Sequence, residues 1–236
     1  MTEPRTALLF DLDGTLVDTI ELIMRSMEYA FEDFQGPRPS RERWLLGLGI
    51  TLRKQLAEWA RTPEELDWLI ARYRIYQGEY HDELTTPYPG VADVLASLRA
   101  QGHPMAIVTS KFHATAGKAL RHVALDAHFD VVIGGDSIAN PKPHPEPVLK
   151  ALTDLGVSAS RAMFVGDSPH DINAGNAAGV ATVAALWGPF SRAQVDAAGP
   201  SYTLESIAKL PALVVEHEAR AQREGKSDAG RNGRVA

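Results

Sequence analysis

The sequence predicts an α/β protein, a Rossmann-like parallel sheet core with an inserted α-helical cap domain. Three observations carry that prediction. Short apolar runs recur along the chain, each ending in small or acidic residues. Helical patterns separate the later runs. One long segment near the N-terminus breaks the alternation and reads as helices alone. Continuous apolar runs suit strands buried on both faces. Strand alternating with helix argues for a parallel sheet with right-handed crossovers and helices on both sides.

In chain order, the strand candidates are Ala7–Phe10, Met105–Val108, Val131–Ile133, Ala162–Val165 and Ala181–Ala184. Helical patterns run over His113–Ala124, Glu146–Leu155 and Ile172–Ala178. From Ile20 to Thr86 there is no good strand, and Gly36-Pro37-Arg38-Pro39 and Thr62-Pro63-Glu64-Glu65 punctuate the helices. Thr62 reads as an N-cap, with Pro63 at the first helical position and Glu65 in the capping-box slot. Aromatics from Tyr29 to Tyr80 read as the core of a small helical bundle. The expected division is core at 1–17 and 88–219, cap at 18–87, and a flexible C-terminal tail at 220–236.

Composition narrows the function. The 236 residues are 44% hydrophobic and 23% charged, which suits a full core and not a disordered chain. Lys plus Arg number 24 against 30 Asp plus Glu, a formal charge of -6. That argues against a broad grip on nucleic acid. No cysteine occurs, hence no disulfide, thiolate metal site or cysteine nucleophile. MTEPRTALLF is too short in its apolar run, and too charged around it, for a signal peptide. No stretch approaches the roughly 20 apolar residues of a membrane span. The expectation is a soluble cytoplasmic protein, monomer or homodimer, without a membrane partner.

Four clusters carry chemistry. The first strand ends in Asp11-Leu12-Asp13-Gly14-Thr15-Leu16-Val17-Asp18. Carboxylates at i and i+2 share a side of a strand end, and such a pair can divide labour as nucleophile and as general acid and base. Gly14 allows a tight turn, and Thr15 can hold a carboxylate. The second is Val108-Thr109-Ser110-Lys111, a hydroxyl and free N–H groups able to receive phosphate. The third, Asn140-Pro141-Lys142-Pro143-His144-Pro145, offers a point positive charge before a helix. The fourth, Gly166-Asp167-Ser168-Pro169-His170-Asp171, offers hard oxygen ligands suited to Mg²⁺. Taken singly, each has a plain reading: an acidic turn, a polar strand end, a surface lysine, a helix cap. Together they place nucleophile, proton shuttle, cation and metal ligands at the C-terminal ends of parallel strands, which is what phosphoryl transfer requires.

These motifs, in this order, resemble those of the haloacid dehalogenase (HAD) superfamily hydrolases over about residues 5 to 215. The resemblance implies that Asp11 attacks phosphorus and forms an aspartyl-phosphate. Asp13 would protonate the leaving group and then activate water. Lys142 and Thr109 would bind phosphoryl oxygens, with Gly14, Thr15, Ser110 and Lys111 beside them. Mg²⁺ would be held by Asp11, the Asp13 carbonyl and Asp167, with Asp171 in support. The helical insert would be the family's mobile cap. Dehalogenases of this superfamily usually lack the second Asp, so Asp13 favours phosphate. The implied activity is Mg²⁺-dependent hydrolysis of a small phosphorylated metabolite, a phosphoglycolate-type phosphomonoester or inorganic pyrophosphate. The alternative is a phosphosugar mutase of the β-phosphoglucomutase type. Its cap loop reads Gly-x-Ser/Thr-Arg, whereas Gly49-Ile50-Thr51-Leu52-Arg53 is closer to phosphoglycolate phosphatase-like caps. Tyr80-His81-Asp82-Glu83-Leu84 is similar to a run in the pyrophosphatase branch. Arg53 and His81, with Arg72 and Arg74, are therefore the cap candidates for substrate contact, although each could simply be solvated.

Overall fold

Strand β1 (Ala7–Phe10) lies in the middle of the sheet, and its side chains show why the run is apolar throughout. Leu8 and Phe10 enter one apolar cluster, while Ala7 and Leu9 enter another on the opposite face. A computed structural model describes residues 5–232, with side chains as far as residue 223. After β1 come a short strand β2 (Val17–Asp18) and the helices α1 (Ile20–Phe31), α2 (Arg41–Leu45), α3 (Leu52–Ala57) and α4 (Pro63–Glu79). The chain returns through β3 (Thr86–Pro87), then runs α5 (Val91–Ala100), β4 (Met105–Val108), α6 (His113–His122) and β5 (Val131–Ile133). It continues as α7 (Glu146–Leu155), β6 (Ala162–Gly166), α8 (Pro169–Ala178) and β7 (Ala181–Ala185). Helix α9 (Arg192–Asp196), β8 (Tyr202–Leu204) and α10 (Leu210–Asn232) complete it.

The main sheet has six strands in the order β5-β4-β1-β6-β7-β8, all parallel. Helices α5, α6 and α10 cover one face, while α7 and α8 cover the other. This is the expected α/β core. Sequence reading missed β8, a three-residue edge strand in which polar Thr203 sits between Tyr202 and Leu204.

Helices α1 to α4 close around a third apolar cluster of Met24, Met27, Phe31, Phe34, Trp44, Leu56, Leu69 and Tyr73. Phe31 meets Phe34 and Trp44 edge-on, with ring centroids 5.5 and 6.3 Å apart. Trp68, Tyr29 and Tyr76 stay partly outside it. The Thr62 side chain accepts from Glu65 N–H at 3.2 Å, and Pro63 opens α4. Glu65 does not close the capping box on Thr62; its carboxylate accepts from Arg61 N–H at 2.8 Å. The two connectors to this helical unit pair with each other, Val17 against Pro87 and Asp18 against Thr86, as an antiparallel ribbon. The segment from 220, read as a flexible tail, continues α10 as helical backbone to Asn232, and 233–236 lie outside the described residues. Among the described residues no helix is long and apolar enough to cross a membrane.

Burial on both faces sets the cost of truncating β1. Leu9→Ala removes a fully buried side chain next to the strand end that carries Asp11, and should cost about 2–5 kcal/mol. A urea titration should show a lower midpoint at unchanged slope. A loss below about 0.5 kcal/mol, the range of surface substitutions, would contradict burial on both faces.

Candidate active site

The C-terminal end of β1 is tied directly to β6, with Asp11 N–H donating to Val165 O at 2.9 Å. The chain then turns back on itself, as Gly14 N–H donates to Val17 O at 2.9 Å. Gly14 has φ +82°, a conformation L side chains rarely adopt, and a Cβ there would sit 2.7 Å from Asp167 Oδ2. Gly188 presses on Asp167 from the other side, where a Cβ would lie 2.3 Å from the Asp167 Cβ. Thr15 Oγ1 donates to Asp167 Oδ1 at 2.8 Å, and Trp187 Nε1 donates to Thr15 O at 2.9 Å. Asp167 is thus held between two glycine backbones and one threonine.

Lys142 is 1% exposed and reaches in from the loop before α7. Its Nζ donates to Asp171 Oδ1 at 2.5 Å and to Val108 O at 3.2 Å. It also lies 3.0 Å from Asp11 Oδ1, a buried oxygen with no other close partner. Asp171 is satisfied on its other oxygen by Ser168 N–H at 3.1 Å and Ser168 Oγ at 2.6 Å. Ser168 caps α8, and Asp171 completes the capping box. The plain helix-cap reading of these two residues therefore holds alongside their place in the cluster.

Asp11, Asp167 and Asp171 are all buried, each with an oxygen within 4.8 Å of the others. One lysine cannot balance three carboxylates. Burial first, then the charge of Asp171, pushes Asp11 up to about 7 against the opposing pull of Lys142. Asp167 is pushed well above the usual carboxylate range by burial, Asp171 and Asp11. Burial alone would lower Lys142, but Asp11 and Asp171 outweigh it and hold the ammonium above its ordinary value. The Asp11 oxygen that meets only Lys142 and the hard, crowded donor set fit a divalent cation bound through oxygen. The Asp13 carboxylate is not one of the three. Its Oδ1 accepts from Thr19 Oγ1 and from Lys111 Nζ, each at 2.5 Å.

Around the carboxylates is a small cavity of about 90 Å³, lined among others by Asp11, Asp13, Thr109, Lys111 and Asp167. Gly49 and Ile50, between α2 and α3, form its roof. Ser110 Oγ donates to Gly49 O at 2.5 Å, and a Cβ on Gly49 would lie 2.7 Å from Ser168 Oγ. Arg53 and His81 do not reach this cavity. They line a larger one of about 890 Å³ beside it, which shares Leu52, Ser110 and Lys111 with the first. Arg53 pairs with Asp67 at 2.9 Å. His81 is buried, with Nδ1 2.6 Å from Asp82 Oδ1. Arg72 is spent on Tyr29 O and stacks over the Tyr29 and Trp68 rings. Arg74 lies over Phe112, 5.0 Å from its centroid.

Sequence reasoning missed Thr19, Trp187 and Gly188. Thr19 is eight residues after Asp11, inside a connector, and nothing local marks it as a donor to Asp13. Trp187-Gly188 follows the fifth apolar run after two residues, Ala185 and Leu186. A glycine just past a parallel strand's C-terminal end is a signal for close backbone approach.

The sequence profile of the family described as haloacid dehalogenase-like hydrolase matches residues 8–185. A protein from Bacillus velezensis named pyrophosphatase PpaX is 38% identical over 211 residues, covering 89% of this chain and 97% of its own. Its counterpart of the same name from Halalkalibacterium halodurans is 37% identical over 206 residues, covering 87% and 95%. A crystal structure from Haemophilus somnus, described as a predicted phosphoglycolate phosphatase, superposes with a TM-score of 0.80 at 27% identity, covering 90% of this chain and 99% of its own. On this profile match and these relatives, the chain belongs to the haloacid dehalogenase-like hydrolases.

Proposed function

We propose that this chain is a Mg²⁺-dependent phosphatase that hydrolyses a small phosphorylated metabolite through an aspartyl-phosphate on Asp11. The observation that carries the reading is the buried cluster of Asp11, Asp167 and Asp171 at the C-terminal ends of β1 and β6, with Lys142 against Asp11 and Asp171. The names borne by the relatives, pyrophosphatase and phosphoglycolate phosphatase, both describe transfer of a phosphoryl group to water.

Asp11, the Asp13 carbonyl and Asp167 would hold Mg²⁺, with Asp171 in support. Bound there, the cation supplies positive charge that offsets the carboxylates and polarises the phosphoryl group. An Asp11 oxygen attacks phosphorus as the bond to the leaving oxygen breaks. Asp13 gives a proton to that oxygen, then takes one from the water that opens the aspartyl-phosphate. Phosphate departs and Asp11 is restored. Thr19 and Lys111 fix Asp13 Oδ1 and leave Oδ2 to carry the proton. Thr109 and Lys142 hold phosphoryl oxygens, with Gly14 and Ser110 beside them. The Thr15 hydroxyl acts through Asp167, on which it is spent.

Asp11→Asn keeps the shape and removes the attacking charge. Its kcat should fall at least about 10³-fold, and retention of a tenth of wild-type activity would overturn the covalent route.

Charge crowding gives a pH signature. Asp11 and Asp167 bind protons more tightly folded than unfolded, so their contribution to stability falls as pH rises from about 4 through about 7. A cation at the cluster reverses that loss. Added Mg²⁺ should therefore raise Tm more at about pH 8 than at about pH 5. Equal shifts at the two values would count against Mg²⁺ at these carboxylates.

Gly188→Ala places a methyl against Asp167 and the Gly14 carbonyl. Displacing a ligand's support weakens metal binding by about 10- to 100-fold. The Mg²⁺ concentration for half-maximal activity should rise by about that factor, and an unchanged value would remove Asp167 from the metal site.

A further inference from the structure

The small cavity is sized for a phosphoryl group, and the larger one beside it reports on what that group is attached to. The larger cavity's 890 Å³ falls in the range of sites that enclose drug-sized ligands, roughly 300–1,000 Å³. Its apolar lining includes Leu52 and Ile70 from the helical unit, Phe112 just before α6 and Ala114 in the first turn of α6. Phe112 is 42% exposed, an apolar ring left standing at the site. Apolar walls of this extent match a ligand with an apolar body.

The charges point the same way. A second phosphate as leaving group would need cations free to receive it. Arg53 is paired with Asp67, Lys111 with Asp13, and Lys118 with Asp82 at 3.6 Å. Arg74 alone among these four has no carboxylate partner in the described residues, and it lies over the Phe112 ring. Asp136 adds negative charge to the lining. Pyrophosphate would find Arg74 without a carboxylate and would otherwise compete with ion pairs already made at Arg53, Lys111 and Lys118. His81 also lines the cavity, with a ring buried against His122.

We infer that the substrate is an organic phosphomonoester whose leaving group is a ring-bearing alcohol of nucleoside size, seated against Phe112, Leu52 and Ile70. This rests on the phosphatase reading above and selects among its substrates. The phosphoryl group enters the small cavity, and Lys111, common to both cavities, marks the passage between them. The ring fills the apolar space beyond.

The test is a comparison of kcat/KM for adenosine and thymidine 5′-monophosphates with pyrophosphate and phosphoglycolate, each checked against Asp11→Asn. At least one nucleotide should exceed both small substrates by about tenfold or more, the discrimination that a filled apolar pocket supplies. Ala71→Trp and Ala114→Trp then fill the cavity from opposite walls. Both alanines are exposed helix positions, so neither change invades a core. Each should lower the ratio of nucleotide to phosphoglycolate kcat/KM at least about tenfold, a ratio in which any loss of folded protein cancels. Asp11-dependent hydrolysis that favours pyrophosphate or phosphoglycolate, or ratios that both tryptophans leave unchanged, would overturn the inference and spare the phosphatase. Absence of Asp11-dependent hydrolysis of all four would overturn both.

Discussion

The site depends on one buried ammonium. Lys142 stands between Asp11 and Asp171 with almost no solvent contact, and among the described residues it is the cation in contact with the cluster. A buried lysine without carboxylates would lose its proton, and buried carboxylates without a cation would gain theirs. Each therefore justifies the other, but the stoichiometry does not close. Two negative charges remain after the lysine is counted among Asp11, Asp167 and Asp171. A fold built only for stability would replace such a cluster with apolar residues at little cost. Its survival at the ends of two central strands is the mark of a site that is completed by something positive.

The same cluster explains the glycines. Asp167 can approach the Asp11 turn only because Gly14 and Gly188 present bare backbone to it. Gly166 plays the matching part for Asp171, since a Cβ there would meet the Asp171 Cβ at 2.4 Å. Three close approaches around two carboxylates mean that their positions are set by main chain, and main chain at strand ends moves little. The sheet order brings β1 and β6 side by side, so sequence positions more than 150 apart meet as reacting neighbours.

Much of this was legible in the sequence, and the reason is local. The five central strands are continuous apolar runs, and the four motifs sit at or beyond strand ends where the period breaks. Asp11, Lys142, Asp167 and Asp171 converge as the order of motifs implied. The edge strand β8 was not legible, because a half-exposed three-residue strand has no period to read. Thr19, Trp187 and Gly188 were not, because their meaning lies in what they touch across the fold. Arg72 shows the opposite failure: its residue type suggested substrate contact, but it lines neither cavity. Arg53 and His81 lie away from the carboxylates and line the larger cavity beside them. Arg72 proves to be a helix-to-helix clamp on Tyr29.

The helical unit meets the core at several points. An antiparallel ribbon of two short strands carries both chain crossings, and Ser110 to Gly49 is a hydrogen bond from the core's second motif to the roof of the small cavity. A unit with its own apolar cluster, joined by two antiparallel connectors, can shift as a body while each side keeps its packing. The roof contact falls on a residue adjoining Thr109 and Lys111, the groups proposed around the phosphoryl position, so one contact ties the roof to both. The proposed chemistry and recognition divide accordingly: the carboxylates sit at strand ends of the core, and the helical unit lines the larger cavity where a leaving group would be enclosed.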